Sequence, residues 1–365
     1  MTSRGRLIAT LSGETPDCVP VAPLADSFAA AQAGVQYASL TWKDQVRVAR
    51  ETGLDLLCNT AATIPDAVAR AWKRTEAGTK DGFPVFKESF KTPVGTLTQT
   101  IQQLPYNLPW TLEYPIKSEE DFRPFNYVLE WIADVAEAPD AIAEAAHYIL
   151  EDGLVHTWVA IPLELLGWIE RSQAMIFALE EPARMREMCE TIHRGQIGMM
   201  ANALEKGSDI IAFGIVGTEI TSPDMFQEFA KPYARDFADL ARTCGRWSLL
   251  HMCGHVKLLL DDIREIGPTV LETLAPPPEG DTEDIAAARD TLGRDIVAKG
   301  NMPLTFLANA SPAEVRAEGR RIIEKAGPDR FILGCADVLL DYHPRENVEA
   351  LVRAGHEWRL TDTGS

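Results

Sequence analysis

No apolar run in these 365 residues approaches the ~18–20 needed to cross a bilayer as a helix, so no membrane segment is expected. The opening stretch, "MTSRGRLIATLSGETPD", lacks the long apolar core of a secretory leader, and a cytoplasmic location is therefore expected. Basic charge is scarce: 35 lysines and arginines face 54 aspartates and glutamates, a net charge of −19. Nucleic acid, whose phosphates need a basic face, is thus not an expected partner, and the acidic balance speaks for solubility rather than for a particular function. Cysteine is sparse as well. Its six positions (Cys18, Cys58, Cys189, Cys244, Cys253 and Cys335) are scattered through a long chain. That is no disulfide framework, and in a reducing cytosol such residues are buried thiols or metal ligands. Low-complexity tracts and interdomain linkers are missing too. "LAPPPEGD" (274–281) is too short to link domains and reads as a stiff loop, so one domain over 1–365 is expected.

What is present is a recurring unit. Short apolar runs at 18–24, 54–59, 155–162, 209–214, 247–253, 269–274, 295–301 and 331–335 alternate with longer amphipathic stretches. Nearly continuous apolar runs are what parallel strands covered on both faces require. Among the stretches between them, "PAEVRAEGRRIIEKAG" has a Ser-Pro start and a Gly stop, the marks of a helix. "SPDMFQEFAKPYARDFADLARTC" also has helical periodicity. Eight such units predict an α/β chain folded as a (β/α)8 TIM barrel. Residues 60–153 do not fit the repeat. Within them "FPVFKESFKTPVGTLTQTIQ" alternates with period two and predicts an inserted N-terminal antiparallel hairpin over one end of the barrel.

In such a barrel, chemistry is carried where the strands end in βα loops. "WSLLHMC" (247–253) ends in His251 and Cys253, and "FILGC" (331–335) ends in Cys335. Barrel closure brings these ends to one mouth. An imidazole with two thiolates is a donor set suited to Zn²⁺, and three protein ligands leave the open position of a catalytic site. A lone His-x-Cys is more often a packed histidine beside a buried thiol; the second cysteine at another strand end is what weighs against that. His156 starts a strand and reads as structural.

The segments around these residues make the chain resemble the uroporphyrinogen decarboxylase-like superfamily. The resemblance rests on "RGRLIATLSGETPDCVPVAP", "TSPDMFQEFAKPYARDF", "HMCGHVKLLLDDIREIG", "LETLAPPPEGD", "AKGNM" and "FILGCADVLLDYHPRENVEALV". It implies the same barrel. Of the superfamily's two chemistries, decarboxylation of uroporphyrinogen uses an arginine-rich N-terminal segment, and "VAPLADSFAAAQAG" here contains no arginine. The other branch, zinc methyltransferases linked to a corrinoid (cobalamin), has a signature of His-x-Cys plus a distant Cys, which His251, Cys253 and Cys335 match.

The resemblance implies transfer of a methyl group from a small methylated, methoxylated donor to the Co(I) corrinoid of a separate protein. Alternatives are methylation of a thiol of the coenzyme M type, a decarboxylase, and a non-catalytic barrel that binds a tetrapyrrole or corrinoid. No Asp-x-His-x-x-Gly for holding a corrinoid occurs, so the corrinoid is expected on a partner protein. Glu219 and Glu272 are candidate catalytic carboxylates, as fourth metal ligand or proton donor. Asn301 and Asp337 are candidates for substrate contact, Asp337 also for ordering Cys335. "LPYNLPWTLEYP" (104–115) is a candidate pocket wall or a packed hairpin flank. The identity of the donor and the existence of a homo-oligomer are left open.

Overall fold

Seven of the eight apolar runs form strands, and the eighth is interrupted by its own prolines. The computed structural model describes residues 1–61 and 63–359. In chain order the strands are β1 (Leu56–Ala61), β2 (Lys73–Lys80), β3 (Phe83–Thr92), β4 (Gly95–Gln102), β5 (Trp110–Glu113), β6 (Gly153–Trp158), β7 (Ile210–Gly214), β8 (Trp247–Met252), β9 (Val270–Thr273), β10 (Val297–Met302) and β11 (Phe331–Cys335). β1 and β6 to β11 form one seven-stranded parallel sheet in that order, and β2 to β5 form a separate antiparallel sheet.

The expected strand at 18–24 is a correction. Pro20 and Pro23 have no N–H to give, so a regular ladder cannot run through them. Only Val21 bridges β11, at Leu333. Around it the backbone still bonds on both sides. Leu333 donates to the Pro20 carbonyl (2.9 Å) and Ala22 donates to the Leu333 carbonyl (3.0 Å), while Asp55, just before β1, donates to the Val21 carbonyl (2.9 Å).

Strand alternation divides the parallel sheet into two faces. On one, Leu57, Leu154, Ile210, Ala212, Leu249, Val270, Val297 and Ile332 share an apolar cluster. Leu57 belongs to the first strand of the sheet and Ile332 to the last, so the sheet curls until its edges share a core. The other face packs against the helices in a larger cluster. The helix Ser3–Ser12 closes the N-terminal end of the curled sheet. Leu7 and Leu11 join the inner cluster, the Ser3 hydroxyl accepts from Leu56 N (3.1 Å), and Arg4 donates to the Gly153 carbonyl (3.0 Å) and pairs with Asp209 (2.8 Å). Burying each leucine contributes about 1.5–3 kcal/mol. With that end filled, the inner face is free to carry polar groups only toward the strands' C-terminal ends.

The helix predicted from "PAEVRAEGRRIIEKAG" spans Pro312–Ala326, with Ser311 and Glu314 forming a reciprocal capping box and Gly327 following. "SPDMFQEFAKPYARDFADLARTC" divides into Pro223–Phe229 and Lys231–Thr243. Pro232, unable to donate within a helix, sits in the first turn of the second piece, where no donor is needed. In the antiparallel sheet, β3 and β4 pair through Thr92 and Gly95. Phe90 packs edge-on against Trp72 and Trp131. The segment 104–115 adds β5 to this sheet and leaves Trp110 exposed, while Asn107 donates to Asp341 in the loop after β11 (3.0 Å). No helix among the described residues is long and apolar enough to cross a membrane.

Candidate metal centre

The inner face changes character one layer above the apolar cluster. His251 on β8 lies opposite Glu272 on β9, and Glu272 lies opposite Lys299 on β10. Each is two residues beyond an apolar inner residue of its own strand (Leu249, Val270, Val297), so period-two alternation alone puts all three side chains on the inner face. They form a chain of contacts. His251 Nδ1 is 3.1 Å from Glu272 Oε2, and the other carboxylate oxygen of Glu272 takes the Lys299 ammonium. Both members of the Glu272–Lys299 pair are buried. A buried pair of this kind compensates two desolvated charges only because the strand register holds them together.

The other ring nitrogen of His251 faces the mouth. Nε2 lies 3.4 Å from Asp337 Oδ1. With the thiol of Cys253, two residues on from His251, these make a group of three donor atoms all within 4.8 Å of one another, each on a partly buried residue. The set fits a zinc ion. Imidazole nitrogen, thiolate sulfur and carboxylate oxygen are its three usual protein donors, and a tetrahedral ion with 2.0–2.1 Å bonds sets N and O ligands about 3.3 Å apart. Glu272 on Nδ1 is the kind of outer carboxylate that fixes the tautomer and orientation of a ligating histidine.

Burial opposes charge on both partners, yet here it loses. The His251 pKa is raised well above its ordinary value, because hydrogen bonds to Asp337, Cys253 and Glu272 outweigh desolvation. Glu272 is held well below the usual carboxylate range, because the Lys299 charge and His251 outweigh its own desolvation.

The other five candidates from the sequence each have a definite place. Cys335 is not in the donor group. It follows Phe331 and Leu333 in alternation on β11, packs with them in the outer cluster, and burial pushes its thiol up to about 12. Asp337, reached after the chain bends beyond the strand, presents the third donor instead. Glu219 is exposed and accepts from His255 N (2.8 Å), which ties the loop after β7 to the loop after β8. Asn301 is buried and donates to the Leu274 carbonyl (3.0 Å), which ties β10 to the end of β9. Glu272 is inward, as the expected register requires, and both its oxygens are engaged, one by His251 and one by Lys299.

Lys299 is the member of this contact chain that sequence reading passed over; a lysine inside the apolar run "DIVAKGN" is the signal that could have found it. Trp158 on β6 also belongs here, its ring edge-on to His251 with centroids 5.7 Å apart. His156, two residues earlier, is buried with neither ring nitrogen hydrogen-bonded among the described residues, and burial lowers its pKa to about 3.

Comparison with known proteins places these features among relatives. The family described as Uroporphyrinogen decarboxylase (URO-D) matches residues 168–358, slightly more than half of the chain, including β7 to β11 and all three donors. The chain is 28% identical over 162 residues to the Methylcobamide:CoM methyltransferase MtaA of Methanosarcina barkeri, covering 43% of this chain and 44% of that protein. It is 30% identical over 128 residues to a Uroporphyrinogen decarboxylase of Gloeobacter violaceus, covering 34% and 35%. The matches thus span less than half the length of these curated relatives. Among solved structures, a methyltransferase from Methanosarcina mazei superposes with a TM-score of 0.68 at 18% identity, over 97% of this chain and 98% of the other; at that identity the likeness is one of fold.

Proposed function

From the premise that this chain belongs to the uroporphyrinogen decarboxylase (URO-D) family, we propose that it is a zinc-dependent methyltransferase. It would move a methyl group from a small, neutral methylated donor, of the methoxylated kind, to the Co(I) corrinoid of a separate protein. The observation that carries this reading is the donor group of His251, Cys253 and Asp337 at the C-terminal ends of the strands. We further propose that the chain is a single domain, with a barrel closed through residues 19–22, that works in the cytoplasm.

A zinc ion held by these residues supplies Lewis-acid polarisation of the donor's heteroatom. The protein's own groups do the rest. Glu272 keeps the proton of the imidazole on Nδ1, which leaves Nε2 as the ligating atom. Lys299 neutralises Glu272, so the histidine gains an oriented partner without a net charge being added to the site. Trp158 gives the site an apolar wall beside His251, which favours a neutral, weakly hydrated substrate.

The relatives' names favour a second direction, from methylcorrinoid to a thiol. Against it, the inner face of the parallel strands offers one lysine, Lys299, already paired with Glu272, and no arginine among the described residues. An anionic thiol would find no free cation there. The same shortage argues against a substrate bearing many carboxylates, and so against uroporphyrinogen itself. In the experiment that tests this reading, purified protein is mixed with an aryl methyl ether and Co(I) cobalamin, and methyl–cobalt is followed by absorbance. Transfer that disappears on chelation of zinc is expected. Turnover of a methyl donor with no corrinoid present would contradict it, and transfer only from methylcobalamin to a thiol would reverse its direction.

A further inference from the structure

Breaking an alkyl methyl ether at neutral pH is aided by a proton for the departing oxygen, and Glu272 is not placed to give one: one of its oxygens is taken by Lys299 and the other by His251. Besides Asp337, which belongs to the donor group, Asp26 is a carboxyl group on this side of the sheet. Asp26 opens the helix Asp26–Ala33, directly after the segment that runs between β11 and β1, and its residue is only 7% exposed. Its Oδ2 accepts from the side-chain amide of Asn59. Its other oxygen has no hydrogen-bond partner among the described residues.

Asn59 is two residues beyond Leu57 of the inner cluster, and pairs in register with His156, which is in turn two residues before Trp158. The Asp26–Asn59 pair is therefore on the same inner face as Trp158 and His251. Asn59 Oδ1 is buried without a partner among the described residues, so this wall also has unused hydrogen-bonding capacity.

We propose that Asp26 is the catalytic acid of this site, presenting its unpartnered oxygen with a proton to the oxygen of the departing alcohol or phenol. The proposal rests on the donor-to-corrinoid reading above. In the step, the methyl carbon–oxygen bond breaks and its electron pair stays on oxygen. The Co(I) substrate gives its electron pair to the new carbon–cobalt bond. The Asp26 proton passes to the leaving oxygen, and the carboxylate is reprotonated from solvent. Desolvation supports the assignment. It raises the Asp26 pKa to about 6, with help from the Glu272 charge, against the Asn59 hydrogen bond and Lys299, which lower it. The helix N-terminus would favour the carboxylate, so burial is the effect that wins here. Tyr37 and Cys58 are the other titratable groups that feel its charge.

The test is Asp26→Asn, which keeps the shape and an acceptor for Asn59, assayed with two donors. An alkyl methyl ether has a basic leaving group and needs the acid; a nitro-substituted aryl methyl ether does not. The variant is expected to lose ~10²–10⁴-fold on the first and no more than about tenfold on the second. Wild-type transfer from the alkyl ether should fall as pH rises through about 6, since the acid must be protonated, and this limb should vanish in Asp26→Asn. In Asn59→Ala the limb should move to higher pH, because a hydrogen bond that favours the carboxylate is lost. The infrared carbonyl band of a protonated carboxyl group at pH 5, read on the protein without corrinoid, should be reduced by one group in Asp26→Asn. Equal losses on both donors, or an unchanged band, would overturn the acid role. A wild-type protein that transfers methyl from neither donor would instead overturn the underlying reading, and the acid role with it.

Discussion

Lys299 stands in the middle of a strand whose six residues are all buried, a place where an ammonium is stable only beside an opposite charge. Glu272 supplies that charge, and each residue explains the other. Lys299→Met leaves a buried carboxylate uncompensated, and a loss of about 3–5 kcal/mol of folding free energy in urea titrations is expected. Adding Glu272→Leu should recover most of that loss, since an apolar pair of similar volume replaces the ion pair, while methyl transfer stays impaired because His251 has lost its partner. A double variant as unstable as the single one would contradict the pairing. At this scale the sequence was partly legible. His251 and Cys253 could be read because they end one strand at a spacing of two. Cys335 was read from its place at a strand's end, and being a strand's last residue does not tell which face it takes. Alternation from Phe331 and Leu333 carries it to the helix side, and the bend after the strand lets Asp337 present the donor.

At the scale of elements, most strands were legible because parallel strands buried on both faces leave continuous apolar runs, and each run in 54–335 corresponds to a strand. The run at 18–24 shows what the pattern omits. Hydrophobicity reports burial, whereas Pro20 and Pro23 decide whether a ladder can form. What holds this segment is a side chain. Asp55 accepts from Val21 N (2.8 Å), from Arg6 (2.6 Å) and from His356 Nε2 (2.9 Å) while itself buried. Arg6 keeps a second partner in Asp17. Asp55→Asn should therefore cost less than a fully orphaned pair, about 2–3 kcal/mol in urea titration. It should also speed amide exchange at Val21, Ala22 and Leu333. Unchanged exchange there would show that the backbone bonds alone hold the segment between β1 and β11.

Across the whole molecule, the helix Ser3–Ser12 fills one end of the curled sheet with leucine, and the ionisable groups of the inner face gather at the other. That polarity is what makes the donor group accessible, and it follows from the order of residues along each strand: apolar first, then His251, Glu272 or Lys299. It was not legible from composition, because a net charge of −19 says nothing of where along each strand the ionisable residues fall. The central claim is that His251, Cys253 and Asp337 hold one zinc ion. Elemental analysis of folded wild-type protein and of Asp337→Asn, Cys253→Ser and Cys335→Ser variants, each dialysed against the same weak chelator, measures it directly. About one zinc per chain is predicted for wild type and for Cys335→Ser, with loss in Asp337→Asn and Cys253→Ser. Zinc lost in Cys335→Ser and retained in Asp337→Asn would contradict it.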